Sequence, residues 1–208
     1  MTVGVLVASA QNARALWYLA RASGLVAMVL LTVTVVLGIV STVGWASARW
    51  PRFASQALHR NLSLLCLALI AIHVATIVAD GYVPIGVLDA VVPFRTPYRR
   101  FWVGLGAGAF DLLVAVLVTS ALRRHIGHRA WRAVHWLAYA CWPITLAHGL
   151  GSGTDTRLGP VQLLYVVCAG MVAVAVAWRL VAAGTAAKRT PRPSALPGRH
   201  SRTGVRTP

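Results

Sequence analysis

Long apolar runs make up most of the chain, and polar residues are confined to short stretches between them. Ala22 to Ala48 has no charged side chain. Neither have Asn61 to Ala79, Ala133 to Thr154, or Leu158 to Trp178, and Phe101 to Leu122 has only Asp111. A helix crossing a bilayer needs roughly 20 mostly apolar residues. The runs are continuous rather than alternating, which predicts helices and excludes a barrel. The expectation is an all-α integral membrane protein: a bundle of five spanning helices at about 15–42, 59–79, 101–122, 132–150 and 159–182. Segment 81–94 is apolar but too short to span, and Pro84 and Pro93 bound it. It reads as a re-entrant or interfacial piece and a candidate lid, and as a sixth helix if it is helical.

The pattern divides the chain into a short N-terminal segment (1–14), a membrane domain (15–182) and a tail (183–208). The tail turns to Arg, Pro, Ser and Gly, with almost nothing to bury, and is expected to be disordered. The N-terminus lacks a basic leader before its apolar residues, so the first helix is expected to stay in the protein. Trp17, Tyr18, Trp45, Trp50, Trp102 and Trp131 fall near span ends, as an interfacial aromatic belt requires.

Composition agrees with this reading. Of 208 residues, 58% are hydrophobic and only four are acidic, all Asp. The net charge of +16 could point to nucleic acid, but it has a simpler meaning in a membrane chain. Arg49, Arg52 and Arg60 cluster around one loop. Arg123, Arg124, Arg129 and Arg132 cluster around another. Arg179, Lys188, Arg189, Arg192, Arg199, Arg202 and Arg206 follow the last span. All three groups lie on one side of a five-helix chain. The other side carries Arg14, Arg95, Arg99, Arg100 and Arg157, offset by Asp80, Asp89 and Asp155. The positive-inside rule then places the N-terminus outside and the C-terminus in the cytoplasm, in the plasma membrane. A basic tail of this kind can also touch anionic lipid. No folded basic module is present, so no nucleic-acid partner is expected.

Four histidines lie inside the apolar stretches, in two matched pairs. His59 and His73 are fourteen residues apart in the second span; His135 and His148 are thirteen apart in the fourth. Imidazoles in lipid are costly unless something binds them. Spans two and four run the same way, so His59 and His135 share one level and His73 and His148 the other. Each pair is separated by roughly 20 Å along its helix, which suits two stacked haems, each iron held by one nitrogen from each helix. The angles fit less well. Fourteen residues bring His73 within about 40° of the His59 face, but thirteen leave His148 roughly 140° from His135. Pro143 lies between the latter two, so a kink is expected there. His125, His128 and His200 fall in basic segments and read as solvated. Cys66, Cys141 and Cys168 form no metal-binding or haem-attachment motif and read as small buried residues.

His59-Arg60-Asn61, Trp131-Arg132-x-x-His135-Trp136 and the two histidine spacings together resemble the ferric reductase-like transmembrane family. That family includes the membrane cores of NADPH oxidases and ferric reductases, and the haem-binding membrane subunit of the bacterial periplasmic methionine sulfoxide reductase system. The stretches Leu16–Gly24 and His148–Asp155 resemble an actinobacterial-type branch, and the likeness covers about residues 15–180. The resemblance implies two b-type haems with bis-histidine ligation, an inner one on His59 and His135 and an outer one on His73 and His148. It also implies electron flow across the membrane. Two departures stand out. No flavin or nicotinamide domain follows the last helix and no G-x-G-x-x-G occurs, so this chain is not expected to bind flavin and needs a separate donor. The family core often has six helices, against five here.

Other polar and small groups have two readings each. Arg21 is either a partner for a haem propionate or a snorkelling surface residue. Asp111 either relays a proton or makes a structural contact between helices. Gly104, Gly106 and Gly108 provide helix contact or room for a porphyrin edge. Trp142, midway between the histidine levels, bridges the two haems or fills the core. Arg95, Arg99 and Arg100 attract an anionic acceptor or anchor the interface. The function expected is a diheme b-type cytochrome. A cytoplasmic flavoprotein reductase or a membrane quinol would reduce it. An outer acceptor, such as ferric iron, dioxygen or an extracytoplasmic redox protein, would oxidise it. The alternative is a non-redox membrane protein, a small transporter or assembly partner with structural histidines.

Overall fold

The computed structural model describes residues 2–42, 51–81 and 83–189. Trp45, Arg49, Trp50, Arg192, Arg199, His200, Arg202 and Arg206 lie outside the described residues. Within them the chain is helical without strands: α1 (Thr2–Thr42), α2 (Arg52–Asp80), α3 (Val87–Val91), α4 (Arg100–Ala121), α5 (Arg123–His135), α6 (Leu137–Ser152) and α7 (Gly159–Arg189). Segments of α1, α2, α4 and α7 are long and apolar enough to cross a membrane. The protein is therefore a multi-pass, all-helical membrane protein.

Local sequence sets several boundaries. Pro51 sits just before α2, where its missing N–H costs nothing, and its carbonyl receives the Ala54 and Ser55 N–H groups. Gly81 closes the same helix at φ 63°, a left-handed conformation that glycine adopts freely. α1 begins at Thr2 rather than near 15, although its candidate span starts at Arg14. α7 runs past the expected end at 182, to Arg189. Segment 81–94 contains only one short helix, α3, packed on α4 with Phe94 lying over Gly104.

The fourth expected span is divided. α5 ends at His135, and Trp136 forms a turn in which its carbonyl takes the Tyr139 N–H three residues on. The expected distortion thus lies at Trp136. Pro143 removes one bond inside α6 without ending it. The local tightening puts His135 and His148 on separate helices. Trp136 keeps right-handed helical angles (φ −62°, ψ −25°), so the division is a local tightening of the helix.

α1 is the central helix. In its membrane window 44% of residues are buried, against 11% to 17% for α2, α4 and α7. Met28, Leu31, Val35 and Ile39 of α1 meet Cys66 of α2, Trp142 of α6, and Tyr165, Cys168 and Ala175 of α7. The other face of α7 presents Val166, Val174, Leu180 and Val181 outward, which lipid tolerates. α1 packs closely on α2, and α4 on α6, but α2 and α6 make at most marginal backbone contact. Across that gap His59 and His73 of α2 approach His135 of α5 and His148 of α6.

Candidate functional site

The four histidines face one another in two tiers. The His59 and His135 ring centres are 6.3 Å apart, and those of His73 and His148 6.5 Å. α2 is continuous between His59 and His73, so the tiers stand about 21 Å apart along it. An imidazole nitrogen binds a metal at about 2.0–2.1 Å and lies about 1.1 Å from its ring centre. Two imidazoles on opposite sides of one metal therefore need ring centres about 6.3 Å apart. Both pairs meet that requirement. Among the described residues no third His, Cys, Asp or Glu completes a metal site at either pair. Two nitrogens do not satisfy a four-coordinate zinc ion. They do suit a porphyrin, which supplies its own four nitrogens and leaves two axial positions.

The far side of each ring shows how it is aimed. His59 Nδ1 lies 3.0 Å from the Thr34 carbonyl, His73 Nδ1 2.6 Å from that of Ala20, and His148 Nδ1 2.8 Å from that of Trp102. A carbonyl oxygen only accepts, so Nδ1 carries the proton in all three and donates it. Nε2 is left with a free lone pair, the tautomer a metal ligand needs.

Each of these carbonyls has a glycine four residues further along its helix: Gly38 after Thr34, Gly24 after Ala20, Gly106 after Trp102. The three imidazoles lie against those glycines. A Cβ on Gly24 would stand 2.9 Å from His73 Cε1, and one on Gly38 3.5 Å from His59 Cε1. On Gly106 it would collide with the His148 ring. The missing side chain lets the ring reach a carbonyl already used within its helix. Sequence reading assigned no role to Gly24 or Gly38. The available signal was their spacing of fourteen, the same as His59 to His73.

The pairing follows a strict register. Between the two histidines of α2, Cys66 Sγ donates to the Ala27 carbonyl at 3.5 Å. His59, Cys66 and His73 step by seven along α2, while their acceptors Thr34, Ala27 and Ala20 step back by seven along α1. On the other side Cys141 Sγ reaches the Ala109 carbonyl at 3.4 Å, seven residues from the His148 contact with Trp102. Cys66 and Cys141 therefore act as weak donors at helix contacts.

The remaining groups have definite places. Trp142 is buried at mid-depth, and its Nε1–H donates to Thr32 Oγ1 at 3.0 Å. Arg21 forms an ion pair with Asp155, and its guanidinium lies 3.6 Å above the Trp17 ring. Arg99 donates to the Gly151 carbonyl at 2.8 Å, satisfying the last turn of α6, and Arg100 donates to the Phe94 carbonyl at 2.6 Å. Arg95 pairs loosely with Asp89 at 3.8 Å. Gly104 and Gly106 serve contact with Phe94 and His148, whereas Gly108 touches only Pro93. Asp111, midway along α4, makes no hydrogen bond or ion pair among the described residues.

A protein-family model described as "Ferric reductase like transmembrane component" matches residues 23–146, more than half of the chain. The match takes in His59, His73, His135 and Trp142 and stops just short of His148. No curated protein and no solved structure matches the chain.

Proposed function

The chain belongs to the ferric reductase-like transmembrane family, and from that premise we propose that it is a two-haem b-type cytochrome. His59 and His135 would hold an inner haem and His73 and His148 an outer one. Electrons would enter from a cytoplasmic flavoprotein reductase or a membrane quinol. They would leave to ferric iron, dioxygen or an extracytoplasmic redox protein. In this reading the protein sits in the plasma membrane, N-terminus outside, with a basic cytoplasmic tail over 183–208 that follows the membrane domain of 15–182.

The observation that carries the proposal is the paired ring spacing of 6.3 and 6.5 Å. When bound, the haem supplies reversible one-electron chemistry, tuned by its axial ligands and its burial. The chain's residues do the rest. Three carbonyl–glycine cradles hold the imidazoles in the ligating tautomer. The central helix α1 carries two of them and seals the α2 side from water. Trp142 stands between the tiers, where an aromatic ring aids electronic coupling. Arg21 follows Ala20, the residue that receives His73, so its guanidinium is placed to be shared between Asp155 and an outer propionate. Asp111 offers a carboxyl within α4 for proton exchange.

Purified protein from haem-replete cells should show a low-spin b-type spectrum and close to two haems per chain. His73→Ala and His148→Ala should each lose one haem and keep the other. Two haems retained in both variants would refute the ligand assignment.

A further inference from the structure

Three of the four histidines share one kind of support, and His135 does not have it. Its Nδ1 is buried and has no hydrogen-bond partner among the described residues. No described glycine underlies its ring. What holds it is Trp131, one helical turn earlier, whose ring lies 5.0 Å away at 26° to the imidazole plane.

The cause is register. Seven residues before Cys141 would be Val134, so the spacing of thirteen to His148 puts His135 one residue out of step with the α4 carbonyls. The α4 carbonyl in register with the others would be that of Val116, and four residues after it stands Ser120 where the three cradles have glycine. The backbone before His135 departs from regular helix, and after it the helix is only tightened. Gly127 has φ 78° and ψ 160°, and Trp136 is a turn. The ligand-bearing segment 128–135 follows the break at Gly127 and is largely exposed.

We infer that His135 is the exchangeable ligand of the four, so that the inner pair admits a small neutral molecule such as carbon monoxide while the outer pair stays closed. The inference rests on the two-haem reading above. A hydrogen bond from Nδ1 is directional; it both aims Nε2 and raises its basicity. A stacked ring can turn about its own normal with little loss of contact, so stacking restrains the ring without aiming it. Trp131 is thus the positioning residue for His135. It replaces the carbonyl with a weaker restraint.

The test is carbon monoxide binding to dithionite-reduced holoprotein, followed in the Soret band, after haem content has been measured. About half of the haem should bind. Trp131→Ala should speed uptake about tenfold, in line with losses of 10–100-fold when support behind a metal ligand is removed. Trp131→Phe keeps the stack and should restore the original rate. Two haems with no uptake, uptake by both haems, or a rate indifferent to Trp131→Ala would each overturn the inference and leave the two-haem reading intact. A preparation without haem would overturn both.

Discussion

Gly24→Ala and Gly38→Ala make a matched pair of perturbations, with opposite expected results. Both add one methyl to α1, facing a histidine of α2. At Gly38 the new carbon would stand 3.5 Å from His59 Cε1, an ordinary contact. At Gly24 it would stand 2.9 Å from both Cε1 and Nδ1 of His73, roughly 0.6–1 Å inside the carbon contact optimum. The His73 ring must retreat by about that distance, and the 2.6 Å bond from Nδ1 to the Ala20 carbonyl is then lost. Leaving that buried donor unpaired costs about 1–3 kcal/mol. Loss of support behind a metal-binding histidine typically lowers affinity by about 10–100-fold. Helix propensity runs the other way, favouring alanine over glycine by about 1 kcal/mol at each position. The net loss of stability is then at most about 2 kcal/mol for Gly24→Ala, too little to unfold the protein, and none is expected for Gly38→Ala. The assay is haem per chain by haemochrome after dilution and re-purification, together with thermal unfolding in detergent. Gly24→Ala should retain one haem firmly and release most of the other, with an unfolding temperature unchanged or modestly lowered. Gly38→Ala should keep both. Equal haem retention in the two variants, or a greater loss from Gly38→Ala, would show that the glycines do not act as ring cradles.

Two further outcomes follow from packing and charge. Trp142→Phe should cost about 1 kcal/mol of stability, because Thr32 still donates to the Met28 carbonyl, whereas Thr32→Val strands the indole N–H and should cost about 1–3 kcal/mol. In thermal or denaturant unfolding the double variant should lose less than the sum of the two; strict additivity would show that the 3.0 Å bond contributes nothing. A fluorescent protein fused after Pro208 should mature and fluoresce in cells, as a cytoplasmic C-terminus requires. A dark fusion, with an active periplasmic phosphatase fusion at the same point, would invert the proposed orientation.

Much of this protein was legible in its sequence, because a bilayer makes composition nearly sufficient. An apolar run of membrane length must satisfy its own backbone hydrogen bonds, so a helix is the outcome wherever its neighbours lie. The charge-free stretches therefore located the helices, and the depth of each histidine in its stretch sorted the four into two levels. Periodicity carries no information about which face meets which neighbour, and there the tertiary structure decided. It placed α1 at the centre, where its glycines and carbonyls could meet His59 and His73. It tightened the chain at Trp136 with an i+3 bond and left Pro143 inside α6. It also turned Arg99 to the carbonyls at the end of α6, a satisfaction problem that arises only once a helix end lies beside it. The difference between thirteen and fourteen residues was visible from the start. Its consequence, a histidine without a carbonyl behind it, depends on the register of α4 against α6, and packing alone sets that register.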